Sequence, residues 1–237
     1  MVHDPLRRLQ LDISGLLRRN SFETTRLDKL DDAGRERHYR SGAEQIANLS
    51  ERIRTQTGFV VDSCSALDFG CGVGRAVLPL AERCEHVYGL DVSPAVLREG
   101  ERQARARNLS NIDWMDAARL PELTGRYDLV ISFFVFQHIP SREGERIFAA
   151  LLAGLRPGGA GAIHLTLAPK FRGSIRTYLY ERMNSYSLSR LALLLGDAGV
   201  TEWHSRVHSR PAPADGRASH QDVTIIFRKD RQPANSP

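Results

Sequence analysis

The run Asp68-Phe69-Gly70-Cys71-Gly72-Val73-Gly74-Arg75 constrains this chain more than any other stretch, because it follows an apolar segment and is answered by Leu90-Asp91 one strand later. Three glycines at alternate positions let a backbone turn sharply and approach a ligand with no Cβ in the way. Their order, G-x-G-x-G, differs from the dinucleotide fingerprint G-x-G-x-x-G, whose last glycine is spaced to bring a helix N-terminus onto a pyrophosphate. Asp91 follows Gly72 by 19 residues, a separation that suits an acid accepting hydrogen bonds from ribose hydroxyls. Asp68 narrows the choice of ligand. A carboxylate beside the glycines repels a pyrophosphate and suits a cofactor that presents an ammonium and a sulfonium group.

Around this turn, short apolar runs alternate with helical patterns. Strands are predicted at 65–69, Val87–Leu90, Ile112–Met115, Tyr127–Ser132 and about Ala160–Leu167, with helices at Arg75–Arg83, from Ser93-Pro94 to about Arg107, and at Arg142–Leu155. Ser93-Pro94 supplies an N-cap and a proline at the first helical position, and Pro157-Gly158-Gly159 ends the last of these helices. Such alternation argues for a doubly wound, Rossmann-like α/β fold with a mostly parallel sheet. Residues 200–208 and 221–228 read as a closing antiparallel pair around the loop Arg210–Ser219, which brings the sheet to about seven strands.

Five motifs in order then carry a resemblance. Asp68-Phe-Gly-Cys-Gly-Val-Gly, Leu90-Asp91-Val-Ser-Pro, Tyr127-Asp128-Leu-Val-Ile-Ser, Val135-Phe-Gln-His-Ile-Pro140 and Leu155-Arg-Pro-Gly-Gly resemble the motifs of class I S-adenosylmethionine-dependent methyltransferases. The fourth is similar to the small-molecule branch labelled type 11 or type 25. The match spans roughly residues 40 to 165. It implies S-adenosyl-L-methionine as cofactor and S-adenosyl-L-homocysteine as product. It implies that Asp68, Gly70, Cys71, Gly72, Gly74 and Arg75 surround the methionine portion, that Asp91 with Val92 takes the ribose, and that Asp116 with Ala117 meets the adenine. Phe133, opening the loop after the fourth strand, is expected on the cofactor. Tyr39, Arg40 and Gly42 open a helix running to about Arg54 that resembles the segment closing over the methionine end in similar enzymes.

The flanks are where acceptor choice should lie. Residues 1–40, charged and bearing Leu6, Leu9, Leu16 and Leu17, read as an N-terminal helical cap or a frayed end; 41–229 form the catalytic domain and 230–237 a tail. After strand five, residues 170–199 read as an inserted helical segment, with Ser187–Ala198 its last helix. Tyr178, Tyr180 and Tyr186 there either line an aromatic substrate pocket or pack the insertion. The first 169 residues hold 22 basic and 22 acidic side chains while 170–231 hold 11 and 6, so the net charge of +5 resides there. That surface either steers an anionic substrate or is a solvated face, and 30 arginines against 3 lysines point to compositional bias. With 237 residues, 41% of them hydrophobic, and no apolar run of about 20 residues or signal-peptide core, the chain is expected to be one cytoplasmic enzyme.

A hydroxyl or phenol acceptor gains from a general base. His138, after strand four, is the leading candidate and His164, inside strand five, the second. Catalysis by proximity alone remains the alternative to both. His204 and His208 lie four apart without a carboxylate or cysteine to complete a metal site. Cys64, Cys71 and Cys84 show no C-x-x-C spacing, so neither zinc nor a disulfide framework is suggested. A small-molecule acceptor, O-methylated on a hydroxylated metabolite or sugar, is the favoured reading. The competing ones are methylation of RNA or another nucleic acid, against which stands the lack of an [ND]-P-P-[YFW] run or Pro-Cys pair, a non-catalytic S-adenosylmethionine-binding protein, and a nicotinamide oxidoreductase.

Overall fold

The computed structural model describes residues 31–170, 184–209 and 219–231. Its first element, helix α1 (Asp32–Thr57), begins where the Asp31 carboxylate accepts from the Gly34 N–H at 2.7 Å and ends at Gly58, whose φ of 69° lets its N–H turn back to the Arg54 carbonyl. These are the side-chain N-cap and left-handed C-cap that satisfy helix ends. Tyr39, Gly42, Ile46, Leu49 and Ile53 recur at three- and four-residue steps and are buried, which fixes the face packed on the sheet. The boundary expected at residue 40 falls inside this continuous helix.

From there the chain runs β1 (Ser65–Phe69), α2 (Val77–Ala81), β2 (His86–Asp91), α3 (Pro94–Ala106), β3 (Ile112–Asp116), β4 (Tyr127–Ser132), α4 (Ser141–Gly154), β5 (Leu155–Lys170), α5 (Leu188–Asp197), β6 (Trp203–Ser209) and β7 (Ser219–Arg228). Short 3-10 turns follow β3 (Ala117–Leu123) and β4 (Phe136–His138). The seven strands lie in the order β3-β2-β1-β4-β5-β7-β6. β1 to β5 pair in parallel, while β7 runs antiparallel to both β5 and β6. The expected doubly wound sheet with its antiparallel closing pair is the observed one.

Two elements differ from expectation. The helix after the glycine turn starts at Val77 rather than Arg75, because Gly70, Gly72 and Gly74 all have positive φ and hold the chain out of helix. β5 extends to Lys170 because its antiparallel partner β7 continues to hydrogen-bond beyond Leu167.

The sheet is buried on both faces. Leu67, Phe69, Val130 and Ile163 pack with Phe136, Phe148 and Tyr186 on one side; Ala66, Leu129 and Ile131 pack with Ile46, Leu49, Ile53, Val77 and Leu80 on the other. Such near-continuous apolar strands are what a parallel sheet covered by helices requires. The C-terminal end of α1 is fastened to the antiparallel strands: Arg228 donates to the Thr57 carbonyl at 2.8 Å and His204 Nε2 donates to that of Gln56 at 3.0 Å.

Candidate functional site

The strand order reverses between β1 and β4, and ligands in open α/β sheets bind at such a switch point, outside the carboxyl ends of the strands. A cleft of about 250 Å³ opens there. Its floor is the glycine turn, tied to the neighbouring strand by the Gly70 and Cys71 N–H groups, which both donate to the Leu90 carbonyl at 2.7 and 2.9 Å. A Cβ on Gly70 would collide with Val135, and one on Gly74 would come within 2.6 Å of the Trp114 ring. At Gly72, by contrast, the space where a Cβ would stand is empty, so that backbone is left bare toward the cleft.

Two carboxylates frame the turn. Asp91 is half-buried; its oxygens accept from the Gly72 N–H at 3.0 Å and the Ser93 N–H at 2.9 Å. Each oxygen keeps acceptor capacity for a further donor. Burial raises its pKa, and those backbone donors oppose the rise. Asp68 is 5% exposed and lines the cleft, and among the described residues no donor hydrogen-bonds its carboxylate. Burial pushes its pKa up to about 7, Asp91 adds to the rise and the Arg75 guanidinium opposes it. An acid held in this condition is relieved by an incoming cation.

Of the residues singled out from sequence, the cleft brings together Asp68, Gly70, Cys71, Gly72, Arg75, Asp91, Val92, Ala117, Phe133 and His138. Cys71 is buried, its thiol pushed well up by burial, and it points to the Gly72 carbonyl at 3.6 Å. His138 closes the 3-10 turn after β4; its Nε2 is buried with no hydrogen-bond partner, and burial lowers its pKa. Gly74 is not in the lining; it serves the turn from behind, under Trp114. Asp116 stands behind the lining too, and its carboxylate caps the following turn through the Ala118 N–H at 2.9 Å.

The remaining candidates lie elsewhere. Tyr39 packs beneath the Arg107 guanidinium, 4.7 Å from its ring centroid, with Val73, Leu78 and Ala104, and burial pushes its hydroxyl up to about 12. Arg40 is exposed, and Gly42 sits against the Arg75 backbone where a Cβ would collide. The helix instead presents His38 and Gln45 to the cleft, seven residues and two turns apart on one face. The His38 Nε2 is buried without a hydrogen-bond partner, and burial together with Arg75 lowers its pKa.

His164 is buried behind the lining, its ring 4.5 Å from that of Phe134 and its Nε2 3.8 Å from the Asp222 carboxylate. Phe134 itself lines the cleft with a φ of 62° and 43% exposure; only its place beside Phe133 in the sequence pointed toward it. Tyr186 is a strut rather than part of the cleft: its hydroxyl donates to the Ile139 carbonyl at 2.8 Å or that of Phe136 at 3.0 Å. Tyr178 and Tyr180 lie outside the described residues. No group of three or more His, Cys, Asp or Glu among the described residues is arranged to hold a metal ion.

A reversing parallel sheet with a bare glycine turn between two carboxylates defines a protein built to hold a positively charged nucleoside. The family described as the methyltransferase domain matches residues 66–159. The ubiquinone biosynthesis O-methyltransferase of Marinobacter nauticus is 31% identical over 165 residues, covering 68% of this chain and 63% of that protein. The magnesium-protoporphyrin O-methyltransferase of Synechocystis is 34% identical over 109 residues, 45% of each. A putative methyltransferase from Bacillus halodurans superposes with a TM-score of 0.60 at 13% identity, over 80% of this chain and 99% of that one. The chain spans between about a third and a half of the length of the first curated relatives it matches. Residues 66–159 are a methyltransferase domain of the class I S-adenosylmethionine-dependent type.

The family's cofactor fits the residues present. The unbonded acid at Asp68 matches an ammonium group, Asp91 has lone pairs to spare for two hydroxyls, and the open side of Gly72 leaves room for a chain passing between them.

Proposed function

We propose that this chain transfers the methyl group of S-adenosylmethionine to a hydroxyl of a small-molecule acceptor, with His138 receiving the hydroxyl proton. The observation that carries this reading is the unpartnered, buried Nε2 of His138 in the same cleft as Asp68 and Asp91. The two relatives named above support the oxygen acceptor, since both carry O-methyltransferase in their names.

In this reading Asp68 and the bare backbone of the glycine turn hold the amino-acid end, and Asp91 takes the ribose hydroxyls. Ala117 and Val92 pack the base, with Asp116 shaping the turn that carries Ala117. Bound there, the cofactor supplies a methyl group already activated by its sulfonium. The chain's own residues then need to align an oxygen with that methyl and keep water out. Phe133, Phe134 and Val135 form the apolar wall suited to this. Burial keeps His138 neutral, so its Nε2 takes the hydroxyl proton as the new carbon–oxygen bond forms and the carbon–sulfur bond breaks. General-base assistance of this kind contributes roughly 10²- to 10⁴-fold. Tyr178 and Tyr180 stay on the acceptor side of this proposal, and the cytoplasm remains the proposed location; no helix among the described residues is long and apolar enough to cross a membrane.

The test has two stages. Thermal unfolding with S-adenosylhomocysteine at about 100 times its dissociation constant should add about 2.7 kcal/mol, with NADH as the inactive control. A screen of phenols, hydroxyquinolones and sugars with labelled cofactor then identifies the acceptor. A shift with NADH alone would overturn the cofactor assignment. Methylation confined to amines would overturn the oxygen acceptor.

A further inference from the structure

We propose that Cys64 and Cys84 form a site of reversible oxidative modification, closing into a disulfide when the protein meets a hydroperoxide. Their separation of 20 residues carries no metal or redox signature in the sequence, yet the fold sets their Sγ atoms 3.4 Å apart. Both are free thiols.

The approach is imposed by the backbone. Cys64 immediately precedes β1 and Cys84 lies two residues before β2, and these strands pair in parallel from Ser65 opposite His86. Two further hydrogen bonds bracket the cysteines, Ser63 N–H to the Arg83 carbonyl and Glu85 N–H to the Cys64 carbonyl, each 3.0 Å. The two thiols therefore start adjacent on segments already zipped together. Closing from 3.4 Å to a bond of about 2.05 Å is a matter of side-chain rotation.

The chemistry of the pair is asymmetric. The hydrogen bond from Cys64 holds the Cys84 thiol below its ordinary pKa, assisted by the neighbouring Arg83 guanidinium, while Cys64 is raised. Cys84, beside the Arg83 guanidinium, is thus the sulfur better suited to the first attack. Each cysteine is only 6% exposed but lies just under the surface, flanked by the exposed Asp62 and Ser63 on one segment and by Glu82 and Glu85 on the other. A molecule the size of hydrogen peroxide is the oxidant this geometry admits. The Cys84 sulfur attacks one peroxide oxygen, the O–O bond breaks, and water leaves with a sulfenic acid formed. The Cys64 sulfur then attacks that sulfur and expels a second water. Two thiols lose two hydrogens and two electrons, and one peroxide becomes two waters.

The bond would tie the entrance of β1 to the entrance of β2, enclosing β1, the glycine turn and α2 in one covalent loop. It lies at the end of the sheet opposite the cleft, about 16 Å away along β1. Cys71 is the contrasting thiol: it lines the cleft and is pushed far up by burial. Oxidation is directed away from the cofactor turn to a pair that can be reduced again.

The experiment is independent of methyl transfer. The protein is treated with hydrogen peroxide in modest excess, remaining thiols are alkylated, and peptides are mapped by mass spectrometry. Free thiols should fall from three to one, with Cys71 the survivor, a Cys64–Cys84 linked peptide present, and full reversal by dithiothreitol. Loop closure should raise the unfolding temperature by about 5 to 10 °C. Cys71→Ser should still form the Cys64–Cys84 link, its free thiols falling from two to none, and Cys84→Ser should keep both of its thiols. Cys64→Ser should leave a sulfenic acid on Cys84 that dimedone captures. The proposal is overturned if all three thiols survive in the folded protein, if Cys71 is consumed first, or if the only disulfides join separate chains.

Discussion

At the scale of single residues, the electrostatics of the cleft make sharp statements about pH. Burial holds the Asp68 pKa at about 7 in the folded protein, against an ordinary value of 3.8. Between those values the native state holds a proton that the unfolded chain releases, so stability falls as pH rises through the window from about 4 to 7. Asp68→Asn should flatten that slope in urea unfolding measured across the range, and leave a fold more stable than the parent at pH 8. In the parent, S-adenosylhomocysteine binding should strengthen as pH rises through about 7, and the same substitution should abolish that trend, because a neutral amide cannot answer the ligand's ammonium. For His138, burial lowers the pKa from 6.5. With cofactor saturating, so that Asp68 does not enter, the acid limb of the kcat profile should therefore have its midpoint below 6.5. His138→Gln should reduce kcat by roughly 10²- to 10⁴-fold with little change in cofactor affinity measured by calorimetry. Full turnover in that variant would mean catalysis by alignment alone.

At the scale of elements, the loop after β4 depends on a residue far from it in sequence. Tyr186 fills the space over Gly144, stacks edge-on against Phe136 and sets one hydroxyl hydrogen between the Phe136 and Ile139 carbonyls of the turn that carries His138. Tyr186→Phe keeps the ring and removes that hydrogen, so the Ile139 carbonyl loses its donor while that of Phe136 keeps the Ile139 N–H, at a cost of about 1 to 3 kcal/mol, measurable as a lower urea midpoint. Because the turn positions His138, kcat should fall more than cofactor affinity does. Across the cleft, Gly70→Ala would force a Cβ into Val135 at a φ of 75°. It should abolish S-adenosylhomocysteine binding while far-ultraviolet circular dichroism still reports a folded chain. Gly72→Ala, with open space around it but a φ of 55°, should weaken binding less.

At the scale of the whole molecule, the parallel half of the sheet was legible because each strand is a short apolar run ended by a recognisable turn, and Asp68 and Asp91 mark two strand ends directly. The cleft's other wall was not. A helix advances about 100° per residue, so the motif-bearing Tyr39, Arg40 and Gly42 say little about which neighbour faces the ligand, and the face that does so carries His38 and Gln45. Phe134 and the carbonyl partners of Tyr186 escaped for a different reason: a left-handed backbone at a non-glycine residue and a hydrogen bond spanning some fifty positions leave no local pattern. Nor does any spacing rule foresee that the C-terminal end of α1 hydrogen-bonds to the antiparallel strands through Gln56 and Thr57, while its buried face packs back as far as Gly42 and Tyr39 and His38 stands 19 residues nearer its start. At 1.5 Å per residue the two points lie about 28 Å apart along the helix. One continuous helix thereby joins the antiparallel pair β6 and β7 to the wall of the cleft.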